Sequence, residues 1–171
     1  MLEPSPCSAR HAIEGLSPGD LSFAQGEWGE WTALPGGAAE WLALALVEFG
    51  RGTRLEAGIF RGATLLGVVA LHNINSQRGS AAIDYCMDSR YRGEGIVTKA
   101  CRALVSYAFA EGGLNRIQIC ADTVNLPSLR VPEKLGFTKE GVLRSYYRSA
   151  SGFRDCVLFS MLKDEWDPGR G

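Results

Sequence analysis

Two glycines one residue apart, in the run Arg90-Tyr91-Arg92-Gly93-Glu94-Gly95-Ile96, sit where a strand pattern gives way to a helical one. Residues 81–87 read as a strand, while Ile96, Val97, Ala100, Leu104, Val105, Ala108 and Phe109 recur at helical spacing to about residue 110. A strand, a glycine loop and a helix in that order let backbone N–H groups approach an anion closely, and the positive end of the helix adds to the attraction. The loop therefore reads as a pyrophosphate site. Its plainer alternative is a tight turn that needs small residues for packing alone.

The flanking pattern limits what the loop can be built into. Residues 54–61 and 64–72 are short β-rich runs parted by Gly62-Ala63, which suggests a hairpin, and a polar loop over 73–80 leads into the strand 81–87. Three antiparallel strands follow from that. After the helix, Gly112-Gly113 breaks the periodicity and residues 116–121 alternate as a strand. Asn125 is placed to cap a helix running to Leu135, with Gly136 closing it and Pro132 inside it predicted to bend it. Two strands, 138–147 and 154–162, join around Ala150-Ser151-Gly152. Upstream, the Ala- and Leu-rich residues 38–49 read as a helix, whereas prolines and glycines interrupt the first 37 residues. A short strand near 10–16 and a helix after Ser17-Pro18-Gly19-Asp20 are the readings there. The expected fold is α+β, a mixed and mostly antiparallel sheet of about seven strands flanked by helices, in a single domain over residues 1–171.

Composition excludes several classes. A net charge of −1 gives no general pull toward nucleic acid or anionic lipid, so any polyanion site must be local. The five cysteines, Cys7, Cys86, Cys101, Cys120 and Cys156, lie far apart and read as buried apolar residues in a reducing compartment. With His11 and His72 the only histidines, no metal site is expected. Residues 1–10 lack the apolar core of a signal peptide, and the apolar stretch 38–49 is too short to span a bilayer, so a cytoplasmic location without membrane contact is expected.

The strand, then Arg90-x-x-Gly93-x-Gly95, then a helix, then Asn125, resembles the acetyl-CoA site of the GNAT acyltransferase superfamily. Leu71-His72-Asn73, Ile83-Asp84-Tyr85, Ala100-Cys101-Arg102, Leu114-Asn115-Arg116, Asn125-x-x-Ser128 and the run from Val131 to Phe137 are together similar to the Rim-type ribosomal-protein-serine N-acetyltransferases. So are Glu140-Gly141-Val142-Leu143-Arg144 and Ser160-Met161-Leu162 with Glu165-Trp166, and Trp28-Gly29-Glu30-Trp31 extends the likeness. The resemblance covers about residues 54–166. It implies the GNAT fold and transfer of the acetyl group of acetyl-CoA to a primary amine, the N-terminal amine of a ribosomal protein being the acceptor it suggests. Amino acids, polyamines and antibiotics are the small-amine alternatives. A monomer or homodimer is expected, with no metal.

The site residues follow from the same resemblance. Backbone N–H groups of Tyr91, Arg92, Gly93, Glu94, Gly95 and Ile96 would cradle the CoA pyrophosphate. Tyr85, Cys86 and Met87 would lend main-chain groups to the pantetheine arm and the thioester oxygen, and Asn125 would meet the cofactor with its side chain. The tyrosine that many superfamily members place seven residues after the asparagine is Pro132 here, so Ser128 is expected to protonate the leaving thiolate. Its plainer reading is a small polar residue early in a helix.

The base is where the sequence departs from its relatives, which often carry Glu-Ile-Gly-Tyr where this chain has Ala82-Ile83-Asp84-Tyr85. Residues 82 and 84 share a sheet face because side chains alternate with period two. Asp84 is therefore the candidate for deprotonating or steering the amine, with Glu56 the alternative carboxylate and a solvated or salt-bridged strand residue the plain reading of either. His72-Asn73, Trp31 and Tyr146-Tyr147 are candidate pocket residues. Two rivals stand beside an acetyltransferase. A dinucleotide-binding fold lacks its third glycine, with Thr98 in that place, and an acyl-CoA-binding module that does not transfer would account for the replaced strand carboxylate.

Overall fold

The structure, a computed structural model, describes residues 37–62, 64–149 and 152–169, with side chains from residue 43 onward. The expected strand near 10–16, the helix after residue 20, Trp28-Gly29-Glu30-Trp31 and Cys7 lie outside these residues. Three α-helices and six strands follow in the order α1 (Gly37–Gly50), β1 (Leu55–Arg61), β2 (Thr64–Asn75), β3 (Ser80–Met87), α2 (Ile96–Ala110), β4 (Arg116–Asp122), α3 (Leu126–Leu135), β5 (Thr138–Ser149) and β6 (Gly152–Leu162). They form one mixed sheet ordered β1-β2-β3-β4-β6-β5, in which only β3 and β4 run parallel. The expected mixed, mostly antiparallel sheet is thus observed, with six strands among the described residues.

Alternation divides this sheet into two chemically different faces. Val69 and Leu71 of β2, Ala81 and Ile83 of β3, Ile117 and Ile119 of β4, and Val157, Phe159 and Met161 of β6 point to one side, where Cys101, Val105, Ala108 and Phe109 of α2 and Val131 and Leu135 of α3 close over them. This is the main core. The helices form because their apolar residues recur at intervals of three and four, which turns a continuous stripe toward the sheet. α3 continues through Pro132, a buried residue, before Gly136 ends it in a left-handed conformation with φ 79°.

The opposite face carries Glu56, Ala70 and Asp84, which stand side by side across β1, β2 and β3, because Glu56 pairs with Ala70 and Ala70 with Asp84. His72 lies two residues beyond Ala70 on the same face, opposite Ala82. β2 extends to Asn75, three residues past the expected end. The reason is a bulge: pairing shifts register between His72 and Asn75, and Asn73 adopts φ 51°, a conformation asparagine tolerates better than most side chains.

Of the expected buried cysteines, Cys86, Cys101 and Cys156 are buried and Cys120 is half-buried; none of the four is in a disulfide. Among the described residues, no helix is long and apolar enough to cross a membrane.

Candidate functional site

The two parallel strands part company almost as soon as they meet. β3 and β4 pair only through Ser80–Arg116, Ala81–Ile117 and Ala82–Gln118; among the described residues, no strand lies beside that edge of β3 from Ile83 to Met87. Unpaired backbone groups at a sheet edge are a template for an extended ligand. Tyr85, Cys86 and Met87, the residues assigned main-chain roles, lie in this open stretch.

On its other side β3 is held hard against β2. A Cβ built at Gly67 would lie 2.2 Å from the Cys86 carbonyl oxygen and 3.1 Å from Met87 Cα, so only glycine admits this approach. The Asp88 N–H then donates to the Leu66 carbonyl at 2.8 Å, which fixes where the strand ends and the loop begins.

The loop starts with a turn of 3₁₀ helix, Ser89–Tyr91, capped by the buried carboxylate of Asp88. That carboxylate accepts from the Arg90 main-chain N–H at 2.9 Å and from its guanidinium, which holds the Asp88 carboxyl below its usual range. The N–H groups of Tyr91 and Arg92 close the turn onto the carbonyls of Asp88 and Ser89. Open donors therefore begin at Gly93. From there to Thr98, six successive N–H groups take no hydrogen-bond partner among the described residues, because Lys99 is the first to reach back, to the Gly95 carbonyl at 3.1 Å. Gly93 and Gly95 have φ of 86° and 75°, and a Cβ at either would meet nothing within 4 Å. The glycines are thus required by conformation, and the space beside them is left to a ligand. Arg61 pairs with Glu94 at the rim, and the guanidiniums of Arg61 and Arg90 both lie 5.6 Å from the centre of the Tyr91 ring. The arrangement suits a pyrophosphate: donors aimed outward, a helix N-terminus behind them, and cations close by.

Across the splay, Asn125 caps α3 as its residue type predicts, accepting from the Ser128 N–H at 3.2 Å. Its amide NH₂ takes no partner among the described residues, nor does the Ser128 hydroxyl. The main-chain carbonyl of Ser128 accepts from the Tyr85 hydroxyl at 2.7 Å, which ties the open strand to the start of α3. Burial and the nearby thiol of Cys101 and carboxylate of Asp84 push the Tyr85 phenol well above its ordinary pKa, so it stays a hydrogen-bond donor.

On the opposite face, Asp84 Oδ2 lies 3.0 Å from His72 Nε2. Glu56 is 2 % exposed; one carboxylate oxygen accepts from Arg54 Nε and the other has no partner among the described residues. Burial outweighs the Arg54 charge, and the Glu56 carboxyl is pushed up to about 7. Burial also raises the Cys86 thiol, with Glu56 and Asp84 adding to the effect, so Cys86 is no nucleophile here. The two candidate carboxylates therefore share one face, while Ser128, α2 and α3 lie on the other.

Sequence reasoning did not foresee the network that supports the far wall. Asp122, at the end of β4, accepts from Tyr147 Oη, Arg154 Nε and the Val124 N–H, which binds the β5–β6 hairpin to the turn preceding Asn125. Only the Asp122-x-Val124 spacing signals part of it, as a turn in which Asp accepts from the residue two on. Of the proposed pocket residues, Tyr147 is engaged here, Tyr146 is exposed beside Cys120, and His72 and Asn73 border a cavity of about 290 Å³ with Arg54, Thr53 and Asn75. Trp31 lies outside the described residues.

The family described as Acetyltransferase (GNAT) domain matches residues 20–138. A putative ribosomal N-acetyltransferase, YdaF of Bacillus subtilis, is 41 % identical over 113 residues, which are 66 % of this chain and 62 % of that protein. The crystal structure of a probable acetyltransferase superposes with a TM-score of 0.77 at 30 % identity, over 93 % of this chain and 91 % of the other. The RimJ protein of Mycobacterium smegmatis, solved in complex with CoA-disulfide, superposes with a TM-score of 0.71 at 26 % identity, over 74 % of this chain and 61 % of the other. The chain spans less than two thirds of the length of the first curated relatives, at 62, 57 and 56 %.

Proposed function

Because this chain belongs to the GNAT acetyltransferase family, we propose that it acts as one domain that moves the acetyl group of acetyl-CoA to a primary amine. The acceptor we favour is the N-terminal amine of a ribosomal protein, attacking directly while both substrates are bound. The observation that carries this reading is the run of six unpartnered N–H groups from Gly93 to Thr98 standing at the end of a strand whose edge is open from Ile83 to Met87. One anchors a pyrophosphate and the other guides an extended arm back toward the sheet.

In this reading Gly93, Glu94, Gly95 and Ile96 hold the pyrophosphate through the main chain, with Tyr91 and Arg92 shaping the loop. Tyr85, Cys86 and Met87 present backbone groups to the pantetheine and thioester, and Asn125 offers its free amide NH₂. The chemistry is light: an uncharged amine attacks the thioester carbon, an oxyanion forms, and the thiolate leaves. An α-amine has a pKa of roughly 8, so positioning and modest proton transfer suffice near neutral pH. Asp84 draws the ammonium toward the thioester. Ser128 donates its hydroxyl proton to the departing sulfur and regains one from water.

The acceptor preference rests on the YdaF likeness and on the resemblance to ribosomal-protein acetyltransferases. It is tested by thiol release from acetyl-CoA with a panel of ribosomal N-terminal peptides, polyamines, amino acids and aminoglycosides. Peptides with a free N-terminus should turn over fastest. Turnover confined to small amines would replace that acceptor, and tight acetyl-CoA binding with no turnover on any amine would make the protein an acyl-CoA-binding module. Ser128→Ala should lower kcat; wild-type turnover at saturating substrates over the whole pH range would remove Ser128 from the acid role.

A further inference from the structure

We infer that His72 is the general base of this site, taking the proton of the acceptor ammonium, and that Asp84 orients it. This deepens the acetyl-transfer reading and rests on it. Three independent observations converge on the imidazole. First, His72 is the strand partner of Ala82, the last β3 residue that still pairs with β4, so it stands level with the point where the splay opens. Second, β2 pairs with β3 in unbroken register from Gly67 to His72 and bulges immediately after it, with Asn73 at φ 51°. A bulge beside a site re-aims the neighbouring side chain. Third, Nε2 lies 3.0 Å from Asp84 Oδ2, while Nδ1 takes no hydrogen bond among the described residues and His72 borders the 290 Å³ cavity. A carboxylate 3.0 Å away favours the hydrogen on Nε2, which leaves the lone pair on Nδ1. A carboxylate that fixes the tautomer and then stabilises the imidazolium is how such a pair works as a base.

The placement also explains Ala82 and Asp84 together. A carboxylate moved two residues along β3 cannot act from position 82, but it reaches diagonally to the histidine that faces position 82 on β2. Acid and base then lie on opposite faces of one strand segment: Asp84 with His72 on one side, and Tyr85, bonded to Ser128, on the other. In the step itself an ammonium N–H bond breaks and its proton passes to Nδ1; the freed lone pair forms the bond to the thioester carbon as the C=O pair moves onto oxygen, and collapse of that oxyanion re-forms C=O, breaks the C–S bond to release the thiolate, and sends the second nitrogen proton to solvent. The imidazolium afterwards returns its proton to solvent.

Other groups face this pair and must be told apart from it. They are Arg54, just before β1, Glu56 of β1, Glu48 of α1, Cys86 of β3, Cys120 of β4 and Tyr146 of β5. Glu56 titrates in the same range as an imidazole, so its variant is the necessary control.

The test records kcat/KM for the best amine against pH in the wild type, His72→Gln, Glu56→Gln and Asp84→Asn, with acetyl-CoA binding measured by calorimetry in each. His72→Gln should lose the rising limb near neutral pH and fall on the order of 100-fold in kcat/KM, while binding acetyl-CoA normally. Asp84→Asn should lower kcat/KM while binding acetyl-CoA normally, and Glu56→Gln should keep the limb. The imidazole nitrogen shifts, simple to assign with only two histidines in the chain, should give the Nε2–H tautomer in the wild type and lose that preference in Asp84→Asn. A limb retained in His72→Gln, or lost in Glu56→Gln instead, overturns the assignment and leaves acetyl transfer standing. Acetyl-CoA bound but no thiol released with any amine overturns acetyl transfer itself, and the base role with it.

Discussion

The hydroxyl of Tyr85 donates to the main-chain carbonyl of Ser128 across 2.7 Å, joining residues 43 positions apart. This bond ties β3 to the start of α3 beside the open splay. Tyr85→Phe removes it and leaves a carbonyl without its donor, at a cost of about 1 kcal/mol. Chemical denaturation should show that loss, and thiol release should show kcat lowered several-fold with the Kd for acetyl-CoA nearly unchanged. Equal loss of kcat and affinity would mean that Tyr85 serves the cofactor and not the α3 turn.

Gly95→Ala separates conformation from ligand space. At φ 75° an alanine is strained by roughly 1 kcal/mol, although its methyl would touch no protein atom. Stability should therefore drop little, whereas acetyl-CoA affinity should fall about tenfold or more, because the methyl stands where the phosphate oxygens approach the N–H groups. Calorimetric titration with acetyl-CoA reads this directly.

Gly67→Ala should behave in the opposite way. Its methyl would strike the Cys86 carbonyl and Met87 Cα, both backbone atoms that cannot turn aside. The expected cost is about 3 kcal/mol, an overpacking penalty, with β3 pushed toward the splay. A melting temperature within a degree of wild type would show that β2 and β3 yield more easily than their register implies.

Glu56 makes stability depend on pH with an unusual sign. Its carboxyl titrates at about 7 in the folded chain against 4.5 when unfolded, so between these values the unfolded state alone is ionised. The group therefore lowers stability as pH rises from 4.5, by about 1.4 kcal/mol per pH unit, and its effect levels off above 7 at on the order of 3 kcal/mol. Relative to Glu56→Gln, the wild type should lose stability across that window in denaturant titrations. A difference that stays flat with pH would mean that Arg54 holds the carboxylate ionised throughout.

Much of this was legible from local pattern. The glycine loop could be read because Gly93 and Gly95 adopt the left-handed conformations that their residue type advertises, and Asn125 because capping acts over three residues. The sheet could be read from alternation. What escaped is what register decides. Asn73 to Asn75 read as a polar loop because a bulge hides the continuation of β2. The pairing of His72 with Asp84 depends on which β2 residue falls opposite Ala82, and no local rule gives that. Tyr85 with Ser128, and Asp122 with Tyr147 and Arg154, are contacts between elements far apart in sequence, so they emerge only when the sheet is assembled.

The most direct test of the whole account is the release of CoA thiol from acetyl-CoA by the full chain, using one ribosomal N-terminal peptide with its α-amine free and the same peptide with it blocked. The account predicts continuous thiol release with the free peptide, a mass increase of one acetyl group on its N-terminal residue, and neither with the blocked one. Tight binding of acetyl-CoA with no thiol released above the rate of spontaneous hydrolysis, by that peptide or by any other primary amine, would contradict it.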